Sequence, residues 1–168
     1  NLDMIGRLEK DYLFVGGMGT AEEFHPLLDT VLSESGLDLE VSDLGEAPSD
    51  NTSFFKAGIP ALFLFTHVHP DYHMPSDDAS LINYEGEVKV LKLARAILDT
   101  LDSHPHKLTF QDVGGMGMPS DFNDRMMEHY GRIAERRSQK GRLGIRPNIY
   151  TEGGLKLSSV REDSAAAK

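Results

Sequence analysis

Gly58-Ile59-Pro60-Ala61-Leu62-Phe63-Leu64-Phe65-Thr66 is the stretch that decides the fold. A glycine and a proline break the chain, the apolar residues Ala61 to Phe65 follow without interruption, and a polar loop then runs from Thr66 to Ser80. The run is too short to be a helix bounded by its own stops, and it lacks the alternation of a half-solvated strand. It reads as a central strand buried on both faces. Such a strand needs helices over the sheet, and the flanking sequence supplies them. Phe24, Leu27, Leu28, Val31 and Leu32 recur at helical spacing, with Thr20 and Glu23 spaced as a capping box and Gly36 as the stop. Val90, Leu91, Ala94, Ile97, Leu98 and Leu101 make a second apolar stripe. Leu2 to Ile5 and Tyr12 to Val15 read as strands separated by a charged turn, and Leu37, Leu39 and Val41 alternate as a half-buried strand. Ser49 or Asp50 is positioned to cap a short helix through Phe55, closed by Gly58. Strands alternating with helices predict an α/β fold, a mostly parallel or mixed sheet with helices on both faces.

The chain has 168 residues and a formal net charge of −10, with no cysteine. Disulfides, thiolate metal sites and thiol catalysis are thereby excluded from this sequence. An acidic balance disfavours nucleic acid, whose phosphates call for a basic surface. No apolar run approaches the roughly 18 residues that a membrane span requires. Asn1-Leu2-Asp3 already reads as a strand, so the start is expected to be internal, and Ser164 to Lys168 ends the sequence without a stop signal.

The composition changes after Val113. Gly114, Gly115, Gly117 and Pro119 suggest a linker, followed by a helix with Phe122, Met126, Tyr130 and Ile133 on one face. Arg125 to Arg146 holds seven basic residues against two acidic ones, the pattern of a solvated helix face or, alternatively, of a surface for an acidic partner or a neighbouring acidic domain. Leu155-Lys156-Leu157 suggests a small strand. The domain reading is therefore 1–112, a linker and helix over 113–140, and a final segment over 141–168.

Chemistry concentrates in the polar loop. Three of the seven histidines, His67, His69 and His73, lie there beside Asp71 and Asp77, directly after the buried strand. Ligands of open α/β sheets gather outside the carboxyl ends of strands, and imidazole with carboxylate suits zinc. Asp3, between Leu2 and Met4, is either solvated through strand alternation or, if buried, in need of a partner.

Two families share these residues. His67-Val68-His69-Pro70-Asp71-Tyr72-His73 is similar to the HxHxDH signature of the metallo-β-lactamase fold, offset because Tyr72 separates Asp71 from His73. A hydrolase using His67, His69 and Asp71 is that alternative. A longer set of blocks resembles the C-terminal half of the dizinc aminopeptidases, metallopeptidase family 28, over roughly residues 1 to 112. The blocks are Asn1 to Arg7, Gly17 to Thr20, Ser49 to Phe54 leading into Gly58 to Leu62, Asp71 to Asp77, and Ile82 to Gly86.

That resemblance implies a zinc-exopeptidase-type fold and removal of N-terminal residues from a peptide substrate. It implies Asp3 as a ligand of one zinc and His73 as a ligand of the other, with the remaining ligands and the general-base Glu lying before this segment. The chain alone is then expected to be inactive and to bind zinc weakly. His69, Asp71 and Tyr72 are candidates for the substrate pocket. Asn51 stands where many members have His, and His67 where Gly is common. Arg142 to Pro147, Gly153 to Leu157, Val160 and Ser164 to Lys168 resemble the opening of a bacterial PDZ domain. A secreted or periplasmic location follows from the family resemblance alone. The non-enzymatic alternative is an assembly module, with exposed strand edges favouring a homo-oligomer.

Overall fold

The structure is a computed structural model that describes residues 1–139, 145–151 and 154–160, with side chains described through Glu135. Its elements in chain order are β1 (Leu2–Asp3), β2 (Tyr12–Gly16), α1 (Phe24–Ser33), β3 (Asp38–Val41), α2 (Asn51–Lys56), β4 (Phe63–Phe65), α3 (Tyr84–Asp102), α4 (Phe122–Gln139), β5 (Ile145–Thr151) and β6 (Gly154–Val160). Contacts divide the chain into Asn1–Arg125 and Met126–Lys168. In the second unit β5 and β6 pair antiparallel, so the strand expected around Leu155 is present. The Arg142 to Gly144, Gly153 and Ser164 to Lys168 parts of the PDZ-like reading lie outside the described residues.

In the first unit the apolar run does form an interior strand. The sheet order is β1-β4-β2-β3, and all three residues of β4 are buried. β1 runs parallel to β4, with Leu2 opposite Leu64 and Asp3 opposite Phe65. β2 is antiparallel to β4 and parallel to β3, which makes the sheet mixed. Alternation sends Leu13, Val15 and Leu64 to one face, where they form a core with Phe24, Leu28 and Leu32 of α1 and Val90, Leu93 and Ile97 of α3. The opposite face is aromatic. Phe63 stacks on Phe65 at 5.3 Å and meets Phe14 edge-on at 6.1 Å, while Phe122 at the start of α4 lies 6.3 Å from Phe65. The strand is shorter than its apolar run, because Ala61 and Leu62 face another task. The Ala61 backbone N–H donates to Thr20 Oγ1 at 3.1 Å rather than to a strand.

The capping box expected at Thr20 and Glu23 does not form. Thr20 is buried, and its hydroxyl donates to the Gly17 carbonyl at 2.7 Å. The Glu23 carboxylate instead accepts from the backbone N–H and hydroxyl of Thr109, at 2.9 and 2.7 Å. The helix still starts at Phe24, because its apolar face is buried whatever caps it. Gly17 must be glycine for two reasons: its φ is +84°, and a Cβ there would sit 2.1 Å from the Ala61 carbonyl oxygen. α3 begins earlier than its apolar stripe suggests. Asn83 caps it by accepting from the Gly86 N–H at 2.9 Å, and a side chain at Gly86 would collide with that amide at 2.5 Å. Asn83 also donates through Nδ2 to the Leu8 carbonyl at 2.9 Å, which ties the helix start to the turn after β1.

The glycine-rich stretch after Val113 is pinned to the chain after β3. Gly45 and Glu46 donate their backbone N–H groups to the carbonyls of Val113 and Gly115, and Gly117 returns a bond to Glu46. β1 forms one edge of the sheet, and a groove of about 520 Å³ beside it is lined by Leu2, Phe54, Leu62, Leu98, Leu101 and Leu108.

Leu64 is 3% exposed and holds β4 against both helices, so Leu64→Ala should destabilise the chain by about 2–5 kcal/mol in urea unfolding. A change below about 1 kcal/mol would contradict the central placement of β4.

Candidate functional site

The parallel pairing of β1 and β4 sends both strands out of the sheet at the same end. Asp3 is the last residue of β1, and the loop that carries His67, His69, Asp71, Tyr72 and His73 begins directly after β4. Asp3 is half-buried, and Ser49 donates its hydroxyl to Asp3 Oδ2 at 2.8 Å. Asn1 Nδ2 in turn donates to Ser49 Oγ at 2.7 Å, which fixes the hydroxyl's direction. Either Ser49 or Asp50 is positioned by sequence to cap α2, and Ser49 does not take that place. It orients a carboxylate 46 residues earlier instead, a role that no local spacing signals. Asp50 occupies the cap position of α2 without a side-chain hydrogen bond.

Chain direction changes abruptly after Asp3. Met4 has φ +57°, and a 3-10 turn over Ile5–Arg7 follows, closed by the Arg7 N–H to the Met4 carbonyl at 3.0 Å. Thr66, the residue after β4, donates its hydroxyl to that same Met4 carbonyl. The two strand exits are therefore bonded to each other as well as paired.

The loop beyond is irregular but heavily constrained. Arg7 Nη2 reaches Asp71 Oδ2 at 3.0 Å, and Nη1 reaches Asp77 Oδ1 and the Leu81 carbonyl, each at 3.3 Å. Ser76 donates to the other oxygen of Asp71 at 2.7 Å. The Ser76 hydroxyl, with the Arg7 guanidinium beside it, holds the Asp71 carboxyl below its usual range. Asp71 is thus committed to loop structure. His69 is 5% exposed, with Nε2 3.7 Å from Asp77 Oδ2 and no hydrogen bond to Nδ1. Burial first, then the nearby Arg7 charge, lowers its pKa. Tyr72 meets His69 edge-on at 6.4 Å and stacks on His73 with ring centroids 3.8 Å apart. His73 is exposed, with φ +54°.

His67 turns away from this group. Its Nδ1 accepts the Val68 N–H at 2.7 Å, so the ring proton sits on Nε2 and is donated to Asp121 Oδ1, also 2.7 Å away. Burial lowers its pKa, in keeping with that neutral tautomer. Arg125 foremost, with His67 second, holds the Asp121 carboxyl below its usual range. Asp121 was not singled out in the sequence, where nothing distinguishes it from any other residue near a helix start. Nearby, the Tyr12 hydroxyl donates to Glu40 at 2.6 Å, and Glu40 accepts the Ser120 N–H at 2.7 Å. Ser120 is accordingly held by Glu40.

The donor chemistry divides the two sequence alternatives. With His67 on Asp121 and Asp71 on Arg7 and Ser76, the three residues of the HxHxD reading do not converge, and that alternative is not favoured. Among the described residues, no group of three or more His, Asp or Glu side chains could hold a metal. Asp3 and His73 are chemically suited to zinc, and the described residues hydrogen-bond neither Asp3 Oδ1 nor the His73 ring. Zinc takes three or four protein ligands, so the pair fits part of a site and not a whole one.

His67 carries a testable electrostatic consequence. A base whose pKa is lowered from 6.5 by folding binds fewer protons folded than unfolded, so its contribution to stability declines as pH falls through 6.5 toward the lowered value. His25, raised by its bonds to Asp43 and Asp29, acts in the opposite sense. The difference between the parent chain and His67→Gln isolates the first effect: unfolding free energy should fall less steeply in the variant between pH 7 and pH 5.5 (about one unit below the ordinary histidine value). Equal slopes would contradict it.

Three comparisons with known proteins bear on this arrangement. A family model described as Peptidase family M28 matches residues 1–98, a span that holds β1 to β4, the His73 loop and most of α3. A search of curated proteins and a search of solved structures each returned no match. More than half of the sequence lies within the matched span, and its mixed α/β sheet is consistent with a partial peptidase-type fold. The chain therefore belongs to peptidase family M28, and residues 1–98 are a metallopeptidase-type segment.

Proposed function

We propose that this chain contributes the Asp3 and His73 ligands of a dizinc aminopeptidase, which removes residues from the N-termini of peptides. The observation that carries the reading is the register of β1 on β4. It sets Asp3 opposite Phe65, at the strand end from which the His73 loop departs. When bound, zinc would supply a Lewis acid that polarises the scissile carbonyl and lowers the pKa of a water.

The residues of this chain have preparatory roles. Ser49 holds the Asp3 carboxylate in one orientation through Oδ2 and leaves Oδ1 for a metal. Tyr72 backs the His73 ring, and His69 and Tyr72 provide a partly apolar wall beside it. Asp71 acts through the loop's conformation. The remaining ligands and the proton-transferring Glu are assigned to residues outside this sequence, in accordance with the resemblance. The PDZ-like start over 141–168 stays part of the proposal on the resemblance alone; the β5 and β6 hairpin is compatible with it. An extracytoplasmic location belongs to the same proposal.

Calorimetric titration of the purified chain should show weak zinc binding, weakened further by Asp3→Ala and by His73→Ala, and no hydrolysis of an aminoacyl p-nitroanilide. Tight zinc binding unchanged by both substitutions would overturn the ligand assignment. Zinc-dependent hydrolysis abolished by His73→Ala would overturn the expectation of an inactive chain.

Association through the β1 edge is part of the same reading. The groove beside that edge joins exposed Leu2 and Leu98 to the outer side of β1, which pairs with no other strand among the described residues. Sedimentation velocity should show growth of a dimer with concentration, diminished by Leu98→Asp. A monomer at every concentration would contradict it.

A further inference from the structure

We infer that Arg7 is the positioning residue for His73, setting the separation of Asp3 and His73 by gripping the loop on both sides of the histidine. The role as a metal-ligand spacer rests on the function proposed above; the grip itself does not.

Three observations carry it. The first is where Arg7 is anchored. It ends the 3-10 turn that begins just beyond Asp3, and that turn is held by its own Arg7 N–H bond to Met4, by the Thr66 hydroxyl on Met4 and by the Asn83 N–H on the Gly6 carbonyl at 2.8 Å. A side chain rooted there cannot move independently of β1. The second is the geometry of the fork. One terminal nitrogen takes Asp71, two residues before His73, and the other takes Asp77, four residues after it. A planar guanidinium fixes the directions of its two bonds, so both ends of the segment are located relative to one rigid group. The third is burial and charge. The Arg7 side chain is only 15% exposed, and without it the two carboxylates would face each other with no cation between them.

Between the two anchor points the loop is a chain of short turns. The Tyr72 N–H donates to His69, the Met74 N–H to Asp71 and the Asp77 N–H to Met74, at 3.1, 2.8 and 3.0 Å. Turns of this kind, with His73 at φ +54°, have little apolar burial to hold them. Asp71 is further braced by Ser76, so the Arg7 bonds reinforce a closed ring of contacts around the histidine. The interaction lies 64 to 70 residues away in sequence. It couples a strand end to a loop that has no regular structure of its own.

Arg7→Met tests the grip through amide hydrogen exchange and ring-current shifts, neither of which requires metal. Exchange at Tyr72, Met74 and Asp77 should accelerate about tenfold, and the His73 ring proton shifts caused by Tyr72 should be lost, while amides of α1 and α3 remain protected. Arg7→Lys should restore the charge but not the shifts, because an ammonium cannot reproduce the fork. Should Arg7→Met fail to fold, Asp71→Asn and Asp77→Asn each remove one prong, and each should accelerate the same amides. Unchanged loop exchange and unchanged His73 shifts in the folded variants would overturn the inference. Zinc titration of Arg7→Met gives the separating arm. Lowered affinity is expected if His73 is a ligand. Insensitivity of zinc binding to both His73→Ala and Arg7→Met, with the loop still released, would overturn the spacer role and the ligand reading while leaving the grip intact.

Discussion

The parallel pairing of β1 with β4 is the constraint on which the rest depends. Each strand is very short, and their register brings Asp3 level with Phe65. Two strands held side by side in the same direction must release their following segments at the same sheet edge. Asp3, the turn ending in Arg7 and the His73 loop are consequently neighbours by topology, although some seventy residues of chain separate the two ligand candidates. β4 can serve as this reference because both its faces are buried, one against α1 and α3 and the other among aromatic rings.

Side-chain bonds then convert a shared edge into a defined arrangement. Ser49 fixes a carboxylate orientation, Thr66 joins the two strand exits through Met4, and Arg7 spans the loop. Several of the blocks that carry the family resemblance acquire physical reasons in this way. Gly17 admits the Ala61 carbonyl, Ser49 serves Asp3, and Asn83 with Gly86 forms the start of α3. His67 is instructive as a departure. It stands where glycine is common in the resembling family, and its φ is +79°, a conformation that favours glycine. The strain is offset by its bond to Asp121 and its packing between Phe65 and Phe122.

Much of the fold was legible because contiguous and periodic apolarity survive as one-dimensional signals. The Ala61 to Phe65 run marked β4, and the stripes in α1 and α3 marked the helices that bury it. What failed were assignments of polar side chains by local spacing. Thr20 and Glu23 have capping-box spacing but are recruited by Gly17 and Thr109, because tertiary partners outcompete a helix end. Ser49 and Arg7 find their carboxylates across 46 and more than 60 residues, distances at which sequence carries no geometric information without relatives. The candidate ligands themselves came from motif resemblance; that Asp3 ends β1 at the sheet end where the His73 loop leaves β4 became visible only through strand direction.

Paramagnetic broadening of amide resonances by substoichiometric manganese tests most directly whether that edge collects metal. The expected result is that signals from Leu2 to Met4 and from Tyr72 to Met74 broaden together and first. Broadening centred elsewhere, for example at His25 with Asp29 and Asp43 or at His104 with His106, while both strand-edge groups remain sharp, would contradict the assignment of Asp3 and His73 to one metal-binding edge.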